Sequence, residues 1–136
     1  MLDAVTPTLD LPNDWPDALQ AEFHANTSTG RVGTRLLAET GRVRVWETRL
    51  QPGERIAFHR HVLNYAWVAL TAGRSRSHTM DGGEGVRERD YIPGDARFFE
   101  YPRGDSRYHD LENCGTTELV FAITELLDSA NPPLPL

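Results

Sequence analysis

From residue 31 onward the sequence shows no helical repeat. It runs instead as short β-prone stretches separated by turn residues about every 8 to 12 positions, a rhythm that confines the chain to a β-sandwich or barrel. Strands are expected over Thr34 to Glu39, Val43 to Leu50, Ala57 to Arg60, Tyr65 to Leu70, Ser75 to Thr79, Val86 to Tyr91, Ala96 to Tyr101, Tyr108 to Glu112 and Glu118 to Leu126. The breaks are Thr40-Gly41, Pro52-Gly53, Ala72-Gly73, Asp81-Gly82-Gly83, Pro93-Gly94, Pro102-Arg103-Gly104 and Cys114-Gly115. Asp81 to Gly85 reads as a hairpin turn and not a phosphate loop, because neither a helix nor a lysine follows it.

Ahead of this body, Asn13 or Asp14 can cap a short helix ending near Ala25, with Pro16 in its first turn and Trp15, Leu19 and Phe23 on one face. Three regions follow: a helix and polar linker over 1–30, an all-β barrel over 31–127, and a Pro-rich tail over 128–136 whose prolines bar it from a sheet interior. At 136 residues there is room for one domain. Open sheet edges in a barrel of about 100 residues favour a homodimer, with the helix and tail expected to reach across.

Composition removes several function classes. The 14 basic residues are all arginine, so no lysine exists for Schiff-base, pyridoxal-phosphate or Walker A chemistry. A net charge of −6 argues against a nucleic-acid surface. Cys114 is the single cysteine, which excludes an internal disulfide and Cys-x-x-Cys motifs; no base adjoins it, so a catalytic thiol is not expected. The longest clean apolar runs, such as Leu119 to Ile123, fall far short of the ~18 residues of a membrane span. Met1 to Pro12 lacks the basic and apolar regions of a leader. A cytoplasmic protein with no membrane partner is expected.

The stretch that carries chemistry is Gly53-Glu-Arg-Ile-Ala-Phe-His59-Arg-His61, with Gly73 twelve positions on. On a strand His59 and His61 share one face and Arg60 the other, which makes half a metal site. A second stretch offers Gly94, Pro102, Gly104, His109 and Asn113. Together they resemble the two motifs of the cupin superfamily, Gly-x5-His-x-His-x3 or 4-Glu-x6-Gly and Gly-x5-Pro-x-Gly-x2-His-x3-Asn. The match spans about 60 of the 136 residues. It implies an all-β jelly-roll barrel in which His59, His61 and His109 are metal ligands. The pattern His-x-His-x3-Tyr-x-Trp, with an Arg-rich hairpin and a Phe-Phe strand, is similar to small single-domain bacterial cupins associated with β-alanine degradation.

One departure stands out. Where the family has its glutamate ligand, this chain has Ala66, or Tyr65 at the shorter spacing. Three neutral imidazoles leave the charge of a divalent ion uncancelled and coordination positions open, so such a site attracts an anion. The resemblance therefore implies a divalent transition metal acting on a small anionic metabolite, with iron if the protein is a non-haem dioxygenase and zinc, nickel or manganese as other candidates. A metal-assisted isomerase is a lesser candidate; the alternative from another class is a non-catalytic ligand-binding or sensory cupin, with or without a metal. Tyr65 is a candidate catalytic phenol, its bland counterpart being an aromatic strand residue. Arg97 is a candidate carboxylate anchor if it and Phe99, not Ala96 and Phe98, face inward. His78 could face the pocket but is expected at the surface; His24 is expected to be structural or exposed.

Overall fold

The computed structural model describes residues 11, 12, 14–80 and 85–136; residues 1–10, Asn13 and residues 81–84 of the expected hairpin turn lie outside them. The described chain forms α1 (Asp17–Ala25) followed by β1 (Arg35–Glu39), β2 (Val43–Leu50), β3 (Arg55–His61), β4 (Tyr65–Ala69), β5 (Gly73–Met80), β6 (Gly85–Tyr91), β7 (Ala96–Phe99), β8 (Arg107–Asn113) and β9 (Leu119–Leu126). Two antiparallel sheets result, one ordered β1-β2-β9-β4-β7 and the other β3-β8-β5-β6. Consecutive strands repeatedly change sheet, the winding of a jelly roll. Each of the nine expected strands has its counterpart among the described residues.

Most strand ends shift by one or two residues from expectation, and two of the shifts have local reasons. Gly53 takes φ 87°, a turn conformation costly to other residues, and Gly53 N–H donates to Asn113 O at 2.9 Å while Asn113 N–H donates to Glu54 O at 2.9 Å. Pairing of β3 with β8 thus starts at Arg55, not Ala57. At the other end, the Asn64 side chain accepts from Tyr101 N–H at 2.9 Å, and β7 stops at Phe99.

Period-two alternation fills the space between the sheets. Trp46 and Leu50 of β2, Leu119, Phe121 and Ile123 of β9, and Tyr65 and Ala69 of β4 are buried in one cluster. A second cluster lies behind β3, where Phe23 of α1 packs with Trp15 and Phe58, partly covered by Leu19 and Tyr108. The helix starts at Asp17, two residues later than a cap at Asp14 would place it; Pro16 is the N-cap rather than a first-turn residue, and no side-chain bond caps the helix. Trp15, just ahead of Pro16, stacks on Phe58 at 5.5 Å, and Gln20 Nε2 donates to Trp15 O at 2.7 Å.

An ionic chain fastens α1 to the barrel. Arg55 donates to both oxygens of Glu22 at 2.7 and 2.8 Å and to Asp110 Oδ2 at 2.8 Å, while Asp110 Oδ1 accepts from His78 N–H at 2.6 Å. Arg55 holds the Glu22 carboxyl below its ordinary value. Because Asp110 is buried, removing its partner strands a charge, a loss of about 3–5 kcal/mol. The tail also lies on its own barrel: Asn131 donates to Val62 O and Pro102 O, both at 3.1 Å, and Gly30 N–H donates to Pro135 O at 3.0 Å. Among the described residues, no helix is long and apolar enough to cross a membrane.

Glu125 is a buried carboxyl within the core, where Trp46 Nε1–H donates to it at 2.7 Å. Burial raises its pKa above 4.5, so the folded chain keeps a proton that the unfolded chain has released, and stability falls as pH rises from 4.5 through the raised value. Glu125→Gln retains an acceptor for Trp46 without the titration. Thermal melts from about pH 4 to 7 should show the variant gaining on the parent as pH rises; a constant difference would contradict the assignment.

Candidate metal centre

The β3–β8 pairing brings the histidines together. His59 is paired with His109 and His61 with Arg107, so residues at alternate positions of both strands turn to the inner face. Phe58 and Asp110, the neighbours in sequence, point to the opposite face against α1. His59 Nε2 lies 3.1 Å from His61 Nε2, and His61 Nε2 lies 2.9 Å from His109 Nε2. One ligand atom from each falls within 4.8 Å of the others.

Protonation follows from the surroundings. The Ala57 carbonyl lies 2.9 Å from His59 Nδ1 and can only accept, which assigns the proton to Nδ1 and leaves a bare lone pair on Nε2. Nδ1 of His61 and of His109 has no partner among the described residues. Burial pushes His59 down to about 4, and burial with mutual repulsion holds His61 and His109 well below 6.5. All three are neutral imidazoles at pH 7. Three lone-pair donors facing a common point, with no carboxylate among them, fit a divalent transition metal that keeps open positions.

The departure from the family glutamate is resolved by the register. Tyr65 is buried and stacks on His61 with ring centroids 4.0 Å apart at 10°. Ala66 pairs with Phe98 and Thr124 on the outer face of its sheet, away from the histidines. The inward residue at the glutamate position is therefore Tyr65, and Ala66 is not that residue. Phe99 stacks on Tyr65 at 4.9 Å, extending the column of rings. Burial raises the Tyr65 pKa above 10.

Register also answers the Arg97 question. Arg97 and Phe99 pair with Trp67 and Tyr65, so they face inward, while Phe98 lies outside and is 55% exposed. Sequence reasoning missed Arg107, which lines the same cavity and donates to the Tyr65 hydroxyl at 3.5 Å. Its signal was the spacing Arg107-x-His109, the same i, i+2 relation that linked His59 to His61. His78 is neither in the cavity nor at the open surface; it lies on the face of β5 turned away from the cavity, against Asp110 at 3.0 Å and Trp15 at 5.2 Å. His24 is exposed on α1, and Cys114 is half-buried in its turn.

The histidines open onto a cavity of about 390 Å³ between the sheets. Its polar wall includes Ser75, Ser77 and Thr79 of β5, and its apolar wall includes Trp67, Tyr91 and Phe121.

No family model matches the sequence, and no curated protein matches it. Solved structures do. A cupin domain from Bordetella pertussis Tohama I is 27% identical, with a TM-score of 0.57 over 68% of this chain and 88% of that one. A cupin superfamily protein from Desulfitobacterium hafniense DCB-2 is 17% identical, with a TM-score of 0.52 over 90% of this chain and 100% of that one. A conserved protein with a double-stranded β-helix domain from Klebsiella pneumoniae is 21% identical, with a TM-score of 0.53 over 74% and 82% of the two chains. This chain has the double-stranded β-helix fold of the cupin superfamily, with a cluster of three histidines that could bind a metal ion. The narrower resemblance to cupins of β-alanine degradation gains nothing from these structures.

The two positions at the missing glutamate give opposite expectations. Tyr65→Glu puts a carboxylate beside His61 and should raise metal retention after dialysis, although loss of the stacked ring should lower metal-free stability by roughly 3–5 kcal/mol. Ala66→Glu, on the outer face, should leave metal content at the parent level. Metal analysis and melts of both variants test this, and a gain of metal by Ala66→Glu would overturn the register.

Proposed function

We propose that this chain is a metal-dependent cupin in which His59, His61 and His109 hold one divalent transition ion and the cavity binds a small anionic metabolite. The observation that carries the proposal is the convergence of three Nε2 atoms within 3.1 Å of a neighbour, with the His59 proton fixed on the far nitrogen. A bound ion would supply Lewis-acid chemistry or, as iron, access to dioxygen. Iron is the choice for a dioxygenase; zinc, nickel and manganese suit the same donors.

The chain's own residues supply the rest. Three neutral ligands leave the ion's charge in place, and Arg107 adds a guanidinium to the same cavity, so a carboxylate or enolate is favoured over a neutral molecule. Tyr65, held by its stack on His61, presents its hydroxyl to that ligand as hydrogen-bond partner. Arg97 anchors a carboxylate through its planar fork. Buried aromatic walls keep water away from the reacting end.

Elemental analysis of untagged protein is the direct test. His59→Ala, His61→Ala and His109→Ala should each lose most bound metal, with a lower Tm wherever the ion bound only the folded form. His24→Ala should retain the parent content. Full retention after losing His61, or equal loss on removing His24, would refute the site. Dioxygen consumption on turnover would favour the dioxygenase over the isomerase and the sensory cupin.

We further propose a homodimer. Both sheets end in open strands, and Val68 and Phe98 leave apolar side chains exposed on the outer face beside β7. Light scattering at micromolar concentration should give about twice the 15.3 kDa chain mass; a single-chain mass would rule the dimer out.

A further inference from the structure

The cavity's mouth has a chemistry of its own. Among its lining residues, the exposed ones are Arg87, Glu88 and Arg89 of β6 and Arg97 of β7. β6 ends the four-stranded sheet and β7 the five-stranded one, so the opening is the gap between two edge strands. The turn between them is tight: Gly94, at φ 95°, donates to Ala69 O at 2.8 Å. Along β6 the alternation turns Arg89 with Tyr91 toward the cavity; Glu88 touches the rim, but its carboxylate and that of Asp90 are turned outward, Glu88 to Arg74 and Arg76 and Asp90 to Arg74.

Several arginines outside the mouth, among them Arg44, Arg49, Arg55, Arg74 and Arg76, have a carboxylate partner, while Arg31 and Arg60 lie over Trp46 and Tyr108. Among the described residues, no ion pair is formed by Arg89 or Arg97. They rest on rings instead: the Arg89 guanidinium carbon is 5.0 Å from the Trp67 ring and 5.5 Å from Tyr91, and that of Arg97 is 5.1 Å from Phe99. A guanidinium laid on a ring uses its face and leaves the in-plane N–H fork for an acceptor. Trp67 links the two, being the β-sheet partner of Arg97 and the ring beneath Arg89. In a chain of net charge −6, this is a local reversal of sign.

Behind the arginines the walls are aromatic. Trp67, Tyr91 and Phe121 meet edge to face at 4.9 to 5.7 Å, opposite a polar row of small hydroxyl side chains on β5. A volume of about 390 Å³ is near the small end of ligand pockets, the size of a single-ring compound. We propose that the ligand is a flat-ringed carboxylic acid that enters with its metal-binding group first and leaves its carboxylate at the mouth, gripped by Arg89 and Arg97. The inner end of this assignment rests on the metal-site reading above. The mouth is complete without the ion.

That separation sets the experiment. The metal-free 136-residue chain, prepared with chelator and checked by elemental analysis, is titrated calorimetrically with 4-hydroxybenzoate, its neutral amide 4-hydroxybenzamide, and the non-planar 4-hydroxycyclohexanecarboxylate. The acid should bind about tenfold more tightly than either comparator, the size of one charge-assisted contact. Arg89→Gln and Arg97→Gln should each weaken the acid by about tenfold, leave the amide unchanged and keep the parent's capacity for added metal. Arg35→Gln, on exposed β1, serves as the control and should match the parent. Equal affinity for acid and amide, or parent-like acid binding by both mouth variants, would overturn the proposal. A chain that takes up no metal yet discriminates acid from amide would refute the metal reading and leave the mouth assignment standing.

Discussion

The cost of burying three imidazoles whose nitrogens face one another governs this molecule. Charged, they would repel in a medium that screens poorly; neutral, they still crowd three Nε2 atoms together. Only a rigid frame can hold such a set at 2.9 to 3.1 Å. The frame here is the β3–β8 ladder, where alternation along β3 sets His59 beside His61 and the cross-strand register brings His109 of β8 against His61. A one-residue slip of either strand would send its histidines out against α1 and bring Phe58 or Asp110 inside.

The same two-residue period divides labour elsewhere. On β6 it sends arginine inward and acid outward; on β7 it sends Arg97 and Phe99 inward and Phe98 out to solvent. Rings join these positions to the histidines, since Phe99 stacks on Tyr65 and Tyr65 on His61. The cavity thus has a neutral donor end and a cationic opening, with aromatic carbon in between. That gradient is a property of side-chain alternation in an otherwise ordinary jelly roll.

Much of this was legible in the sequence because turns and alternation are local. Glycine and proline marked the strand ends to within two residues, and His59-x-His61 declared its shared face unaided. Cross-strand facts were not legible. Whether Tyr65 or Ala66 replaces the glutamate, and whether Arg97 faces in, depend on how β4 pairs with β7 and β9, which no single strand encodes. His78 was misjudged for a related reason: nothing near it in sequence indicates that Asp110, 32 positions away, is its partner. Nor did the short helix advertise its anchoring, because Glu22, Arg55 and Asp110 come from three separate elements.

Asp110 follows His109 directly, so one strand presents a donor to the cavity and, a residue later, a buried acid to the helix behind it. The N-terminal segment is consequently part of the wall that keeps that acid dry. Without residues 14–25, Asp110 would lose the packing of Trp15 over His78 and the Glu22 brace on Arg55, and water would reach the reverse side of β8. An excised barrel beginning at Gly30 would be a looser object than the intact chain, with its slackness centred on the strand that carries the third histidine.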